Sequence, residues 1–254
     1  LSEARNQKKF DAIKADIARE NLYHPMEDYC LAKPWDGRPR IAALATCLTT
    51  ANPLALRYME IFFRQSVAVV ASLRRYVKRQ EGEKIESIVV LDGAQGLEKT
   101  KFWELLIPPG FKSEGSTLKL GQSREVDSMA ECLSGTVCNL DEIAGSLMRS
   151  DHSAFKNFVS GRVDRYRVSF SRVPVVKPRM TQLCGTSNDI MLHDPTGSRR
   201  LLILHCTGLD HAMAREIVKG DGLQQCHAEA WHAVMNERLT WWLTAEEEAG
   251  RERA

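Results

Sequence analysis

Eight consecutive residues carry the clearest chemical signal in this chain. Gly93, Ala94, Gln95, Gly96, Leu97, Glu98, Lys99 and Thr100 follow the apolar run SIVVL and open an amphipathic stretch, close to the pattern G-x-x-x-x-G-K-[ST]. A loop of this kind aims backbone N–H groups at phosphate oxygens and adds the partial positive charge of a helix N-terminus. Its lysine reaches the β- and γ-phosphates, and its hydroxyl serves Mg²⁺. One position departs from the pattern: Glu98 stands where the second glycine belongs. A side chain there conflicts with the backbone shape glycine usually adopts, and a carboxylate repels phosphates unless it points away. The plain alternative is a strand, a turn and a helix that happens to begin with Lys-Thr.

Nucleotide hydrolysis also needs acids at the end of a second strand, one for the metal and one to polarise water. TVCNLDEIA supplies Asp141 and Glu142, with Asp141 lying 42 residues beyond Lys99 (141 − 99). The same pair also reads as an ordinary helix N-cap with an acid in the first turn. QLCGTSN ends on Asn188, a polar group able to reach a γ-phosphate or an attacking water, or simply a turn asparagine. DPTGSRRLLIL then sets Arg199 and Arg200 before another apolar strand. Paired arginines suit phosphate recognition or a finger offered to a neighbouring subunit; the alternative is a solvated strand end.

Between these lies a basic segment. Residues 156–179 hold seven cations (Lys156, Arg162, Arg165, Arg167, Arg172, Lys177, Arg179) against one acid, Asp164, in a chain whose net charge is only +2. VDRYRVSFSRV predicts a strand or hairpin with one basic face. It suits a nucleic-acid backbone or a subunit interface, and Arg165, Arg167 and Arg172 are the candidates to face either.

The elements that must position these groups follow from patterning. An apolar strand without polar alternation at 87–91, a second short apolar strand at 136–140 and two more strands at 180–188 and 200–206 are separated by helical segments, which implies an α/β core with a parallel sheet. The remaining helices are predicted at 1–20, 54–79, 124–133, 142–149, 152–160 and 223–247. The charged linker KRQEGEKIE marks a boundary near residue 84. The expected units are a helical domain at 1–84, a core at 85–208 and a helical segment at 209–254. With 254 residues the chain can bury a sizeable core. Its seven cysteines show no C-x-x-C spacing, so buried thiols in a reducing compartment are expected rather than zinc or disulfides. The front of the chain is polar and charged, and its apolar stretches are too short to span a bilayer. A cytoplasmic protein without a membrane partner is therefore expected.

Taken in order, the phosphate loop, the acidic strand end, GRVDRYRVSFSRV, GTSN and DPTGSRR resemble the virulence-associated protein E family. These are P-loop ATPases of phages and mobile elements, similar to superfamily 3 replicative helicases. YHPMEDYCLAKPWDGRPRI also resembles the segment before the ATPase in that family. The likeness spans about residues 22–206 and is most specific from Val163 to Arg200. It implies a P-loop NTPase fold of AAA+ type that binds ATP and Mg²⁺. It also implies a ring, expected to be a hexamer, acting on DNA in replication as a helicase or translocase. Residues 93–100 would form the Walker A loop, Asp141 and Glu142 the Walker B acids, Asn188 sensor 1, and Arg199 or Arg200 the arginine finger. Asn139 departs from the family, which often has glutamate there. Two rival readings remain: an assembly or DNA-binding protein that kept the fold without hydrolysing ATP, and a small-molecule P-loop kinase.

Overall fold

The computed structural model describes residues 22–120, 125–143, 152–166, 174–188 and 200–251. The helix expected at 1–20 and most of that at 142–149 lie outside them. In chain order the elements are α1 (Pro25–Leu31), α2 (Arg40–Thr46), β1 (Leu48–Thr50), α3 (Ala55–Arg79), β2 (Ile88–Asp92), α4 (Lys99–Leu106), α5 (Glu125–Cys132), β3 (Val137–Leu140) and α6 (His152–Ser160). There follow β4 (Val163–Tyr166), β5 (Val175–Pro178), β6 (Gln182–Ser187), β7 (Leu201–Leu209), α7 (His211–Val218), α8 (Gly222–Met235) and α9 (Ala245–Arg251).

Every residue of β2, β3 and β6 is buried. That burial reflects a sheet covered on both faces, and in β2 it shows as the apolar run of residues 88–91. The strand order is β1-β7-β2-β6-β3. β7, β2, β6 and β3 run parallel, and β1 joins the edge antiparallel to β7. On one face Val89, Leu91, Leu202 and Leu204 meet Phe62, Phe102, Trp103 and Ala230 of α3, α4 and α8. On the other, Ile88, Val90, Cys138 and Leu140 meet Phe155, Phe158 and Val159 of α6. Residues before position 84 and after 209 thus share a core with the sheet: Ile41, Phe62 and Val234 belong to the same cluster as Val89.

The topology fixes where chemistry can occur. β2 and β3 are not neighbours, because β6 lies between them. All three are parallel, so residues 93–98, 141–142 and 188 leave the sheet on one edge and converge there.

One sequence expectation is corrected by tertiary contacts. The single helix expected at 223–247 is two, α8 and α9, with irregular backbone between them. In that gap Arg238 has φ 63°, Trp241 donates to Lys84 O at 3.0 Å, and Arg57 donates to Thr240 Oγ1 and Trp242 O at 3.0 and 2.8 Å. These bonds outcompete the helix. The basic segment does form an antiparallel hairpin, β4 with β5. Its cations, however, do not all face solvent. Arg179 is buried, donating to Asp164 Oδ1 and Phe158 O, both at 2.7 Å, and Lys177 donates to Leu133 O at 2.7 Å. Arg162 pairs with Glu81. All seven cysteines are buried free thiols. No helix among the described residues is long and apolar enough to cross a membrane.

Candidate active site

The loop after β2 is shaped by backbone demands. Gly93 has φ 152°, and a Cβ added there would stand 2.2 Å from Cys206 O, so only glycine fits against β7. Gly96 has φ 94°, a left-handed shape that disfavours side chains even though the surrounding space is open. Ala94 and Gln95 form an exposed crest, and Leu97 packs half-buried beneath it. Glu98 is left-handed too, with φ 54° and ψ 36°, directly before the first residue of α4. The position requires the conformation a glycine adopts freely, and a glutamate adopts it here.

The Glu98 side chain pairs with Lys101, three residues along α4. That hydrogen bond, then the Lys101 charge, with smaller help from His211 and Arg215, holds its carboxyl below the usual carboxylate range. Its charge is therefore countered in the first turn of α4. His211 Nε2 lies 3.0 Å from Leu97 O and braces the loop from α7.

Lys99 is buried at the start of α4, and three acceptors surround its ammonium. It donates to Gly93 O at 2.7 Å, Ala94 O at 2.9 Å and Asn188 Oδ1 at 3.0 Å. Asn188 in turn donates from Nδ2 to Glu142 Oε2 at 2.6 Å. Thr100 Oγ1 donates to Asp141 Oδ1 at 2.9 Å. Glu142 sits in a left-handed turn, φ 48°, with its N–H donating to Thr186 Oγ1 at 3.4 Å. Lysine, asparagine and glutamate thus form one chain of hydrogen bonds, with threonine and aspartate beside it. Together with Gly96, Glu98, Lys101 and Thr186 they line a cavity of about 320 Å³. Such a set joins two cations, three carboxylates and two hydroxyls around a space for an anionic ligand with a divalent ion.

The structure therefore brings together Lys99, Thr100, Asp141, Glu142 and Asn188. It does not bring Arg200 to them in the same chain. Arg200 lies at the opposite, N-terminal edge of the sheet, where its backbone carbonyl accepts from Ile88 N and its Nε donates to Ser160 Oγ at 2.8 Å. Arg165 is exposed on β4. Arg167, Arg172 and Arg199 lie outside the described residues. Asn139 is buried in β3, with its Oδ1 3.9 Å from Cys184 Sγ. Among the described residues no group of three or more His, Cys, Asp or Glu side chains could hold a metal by itself.

Sequence reasoning missed Thr186 and Lys101 as lining groups, and a buried Asp92 bonded to His205 Nδ1 at 2.7 Å beside the loop. The signal for Thr186 lay within GTSN, since alternation along a strand ending at the site turns Thr186 and Asn188 the same way.

Fold and cluster together define an α/β protein of the P-loop ATPase-like class. Residues 29–254 match the virulence-associated protein E-like domain, and the chain belongs to that family. Two solved structures of the NrS-1 C-terminal region share the fold. One is 16% identical with a TM-score of 0.51, covering 78% of this chain and 47% of that chain. The other is 15% identical with a TM-score of 0.52, covering 86% and 52%. The chain spans about half the length of these structures. No curated protein sequence matches it.

Proposed function

We propose that this chain is an ATP-hydrolysing motor acting on DNA, of helicase or translocase type, in the replication of a phage or mobile element. The observation that carries the reading is the convergence of Lys99, Thr100, Asp141, Glu142 and Asn188 on one cavity at the end of β2. The residues fit a nucleoside triphosphate with Mg²⁺: the loop begins at a glycine whose Cβ has no room, and the lysine meets only neutral oxygens that a phosphate could replace. Mg²⁺ would supply charge neutralisation across the β- and γ-phosphates. Thr100 and Asp141, already 2.9 Å apart, would hold it, directly or through water. Lys99 would bind β- and γ-phosphate oxygens in place of Gly93 O and Ala94 O. Glu142 would polarise the attacking water, and Asn188, bonded to both Glu142 and Lys99, would orient it.

Assembly as a ring, expected to be a hexamer, is part of this reading, because Arg200 lies at the edge of the sheet opposite its own chain's cluster. Arg199 or Arg200 would then serve a neighbour's site, and Arg165, Arg167 and Arg172 would face DNA or that neighbour. The test is ATP turnover with and without DNA. Turnover should rise with DNA, fall back as salt is raised, and drop at least a hundredfold in Glu142→Gln. Turnover that ignores DNA would defeat the motor.

Glu98 favours a second reading, a protein of the same fold that assembles or binds DNA without hydrolysing ATP. Its pairing with Lys101, which counters its charge at the cavity, supports the first.

A further inference from the structure

Four cations cluster at the far end of α3. Arg74, Arg75, Lys78 and Arg79 recur at i, i+1, i+4 and i+5 and, with Glu83, line a hollow of about 250 Å³. Cations at a helix C-terminus complement its dipole, which accounts for Lys78 and Arg79 in the last turn. It does not account for the set, since like charges four apart, Arg74 with Lys78 and Arg75 with Arg79, oppose the helix.

The acids nearby satisfy only half of them. Arg74 pairs with Glu27, and Arg75 reaches Glu83 at 3.2 Å and Glu81 at 3.3 Å. Lys78 and Arg79 are exposed and form no ion pair among the described residues. Two guanidiniums are thus held in place at the rim while two cations project freely.

The position is separate from the cavity at the end of β2. Gln65 of α3 donates to Ser87 O at 2.8 Å, and Ser66 meets Gln182 at 3.4 Å, both at the N-terminal edge of the sheet. Residues 74–79 continue about 14–21 Å beyond that point, at 1.5 Å per residue. The β4–β5 hairpin comes to the same end, because Arg162 pairs with Glu81.

We propose that this end of α3, with Lys78 and Arg79 as its free contacts, binds the phosphodiester backbone of DNA. The inference rests on the DNA-acting reading above and adds a surface that the sequence did not point to. Guanidinium and ammonium groups at the mouth of a shallow hollow recognise phosphates irrespective of base sequence.

The test is the salt dependence of binding to a labelled mixed-sequence single strand, comparing the parent chain with a Lys78→Gln, Arg79→Gln double variant. Two lost phosphate contacts should flatten the slope of log K against log salt by about 1.4. Affinity should fall several-fold, and ATP turnover without DNA should not change. Lys78→Arg should keep the parent slope. A parent that binds DNA with a double variant of equal slope and affinity overturns the surface alone. A parent that binds no DNA overturns both the surface and the DNA-acting reading.

Discussion

At position 98 the loop demands a left-handed residue, and the chain supplies glutamate at φ 54°. L-residues with a Cβ pay for this conformation, whereas glycine adopts it without a clash. Glu98→Gly should therefore raise the melting temperature by about 2–4 °C, the shift typical of small gains in a chain this size. Thermal unfolding followed by circular dichroism checks this, and a lowered midpoint would mean that the Lys101 pair outweighs the backbone strain. Glu142, at φ 48°, is a second left-handed glutamate on the same cavity. Strain of this kind gathers at functional sites, where surrounding bonds over-determine the backbone. Here those bonds are to Thr186 and Asn188. The residue types at both positions were plain in the sequence. The direction of the Glu98 carboxylate was not, because it depends on how α4 presents Lys101.

Among the elements, β2 was readable because a parallel strand covered on two faces shows no polar alternation. The break between α8 and α9 was not read from the sequence, although a local signal marked it. Thr244 and Glu247 form a capping box: Thr244 N donates to Glu247 Oε2 at 2.7 Å, and Glu247 N to Thr244 Oγ1 at 3.3 Å. Removing the cap with Thr244→Ala should cost about 1 kcal/mol of helix stability. Amide exchange over residues 245–251 should then quicken roughly fivefold, while exchange in β2 and β6 stays unchanged. Equal exchange in both proteins would show that packing, not the cap, holds α9. The hairpin teaches the complementary lesson. Its cations were visible, but Arg179 could be assigned to Asp164 only once β4 and β5 were paired, since 15 residues separate the partners.

For the molecule as a whole, buried titratable groups set the response to acid. Burial lowers His227 to about 3 and His24 to about 4. Both would take up protons on unfolding, since the unfolded value is near 6.5. Their contribution is complete above about pH 6.5 and is lost as pH falls toward 4 and 3. Glu229 works the other way. Burial raises it to about 7, so its contribution is complete below its ordinary value of 4.5 and is lost as pH rises through 7. Between these limits two histidine protons oppose one glutamate proton, leaving a net uptake of about one proton on unfolding. Stability should therefore fall from pH 6.5 to pH 5, measured as a lower urea midpoint. His227→Phe should flatten that fall, and an unchanged fall would remove His227 as its source.

The central claim is that the cavity formed by residues 93–100 with Asp141, Glu142 and Asn188 is a working, metal-dependent nucleotide site despite Glu98. Titration calorimetry with ATP, in the presence and absence of Mg²⁺, tests it most directly on the parent chain and Lys99→Ala. Binding that is tightened by Mg²⁺ and lost in Lys99→Ala is the predicted result. No heat of binding from the parent under either condition would contradict it.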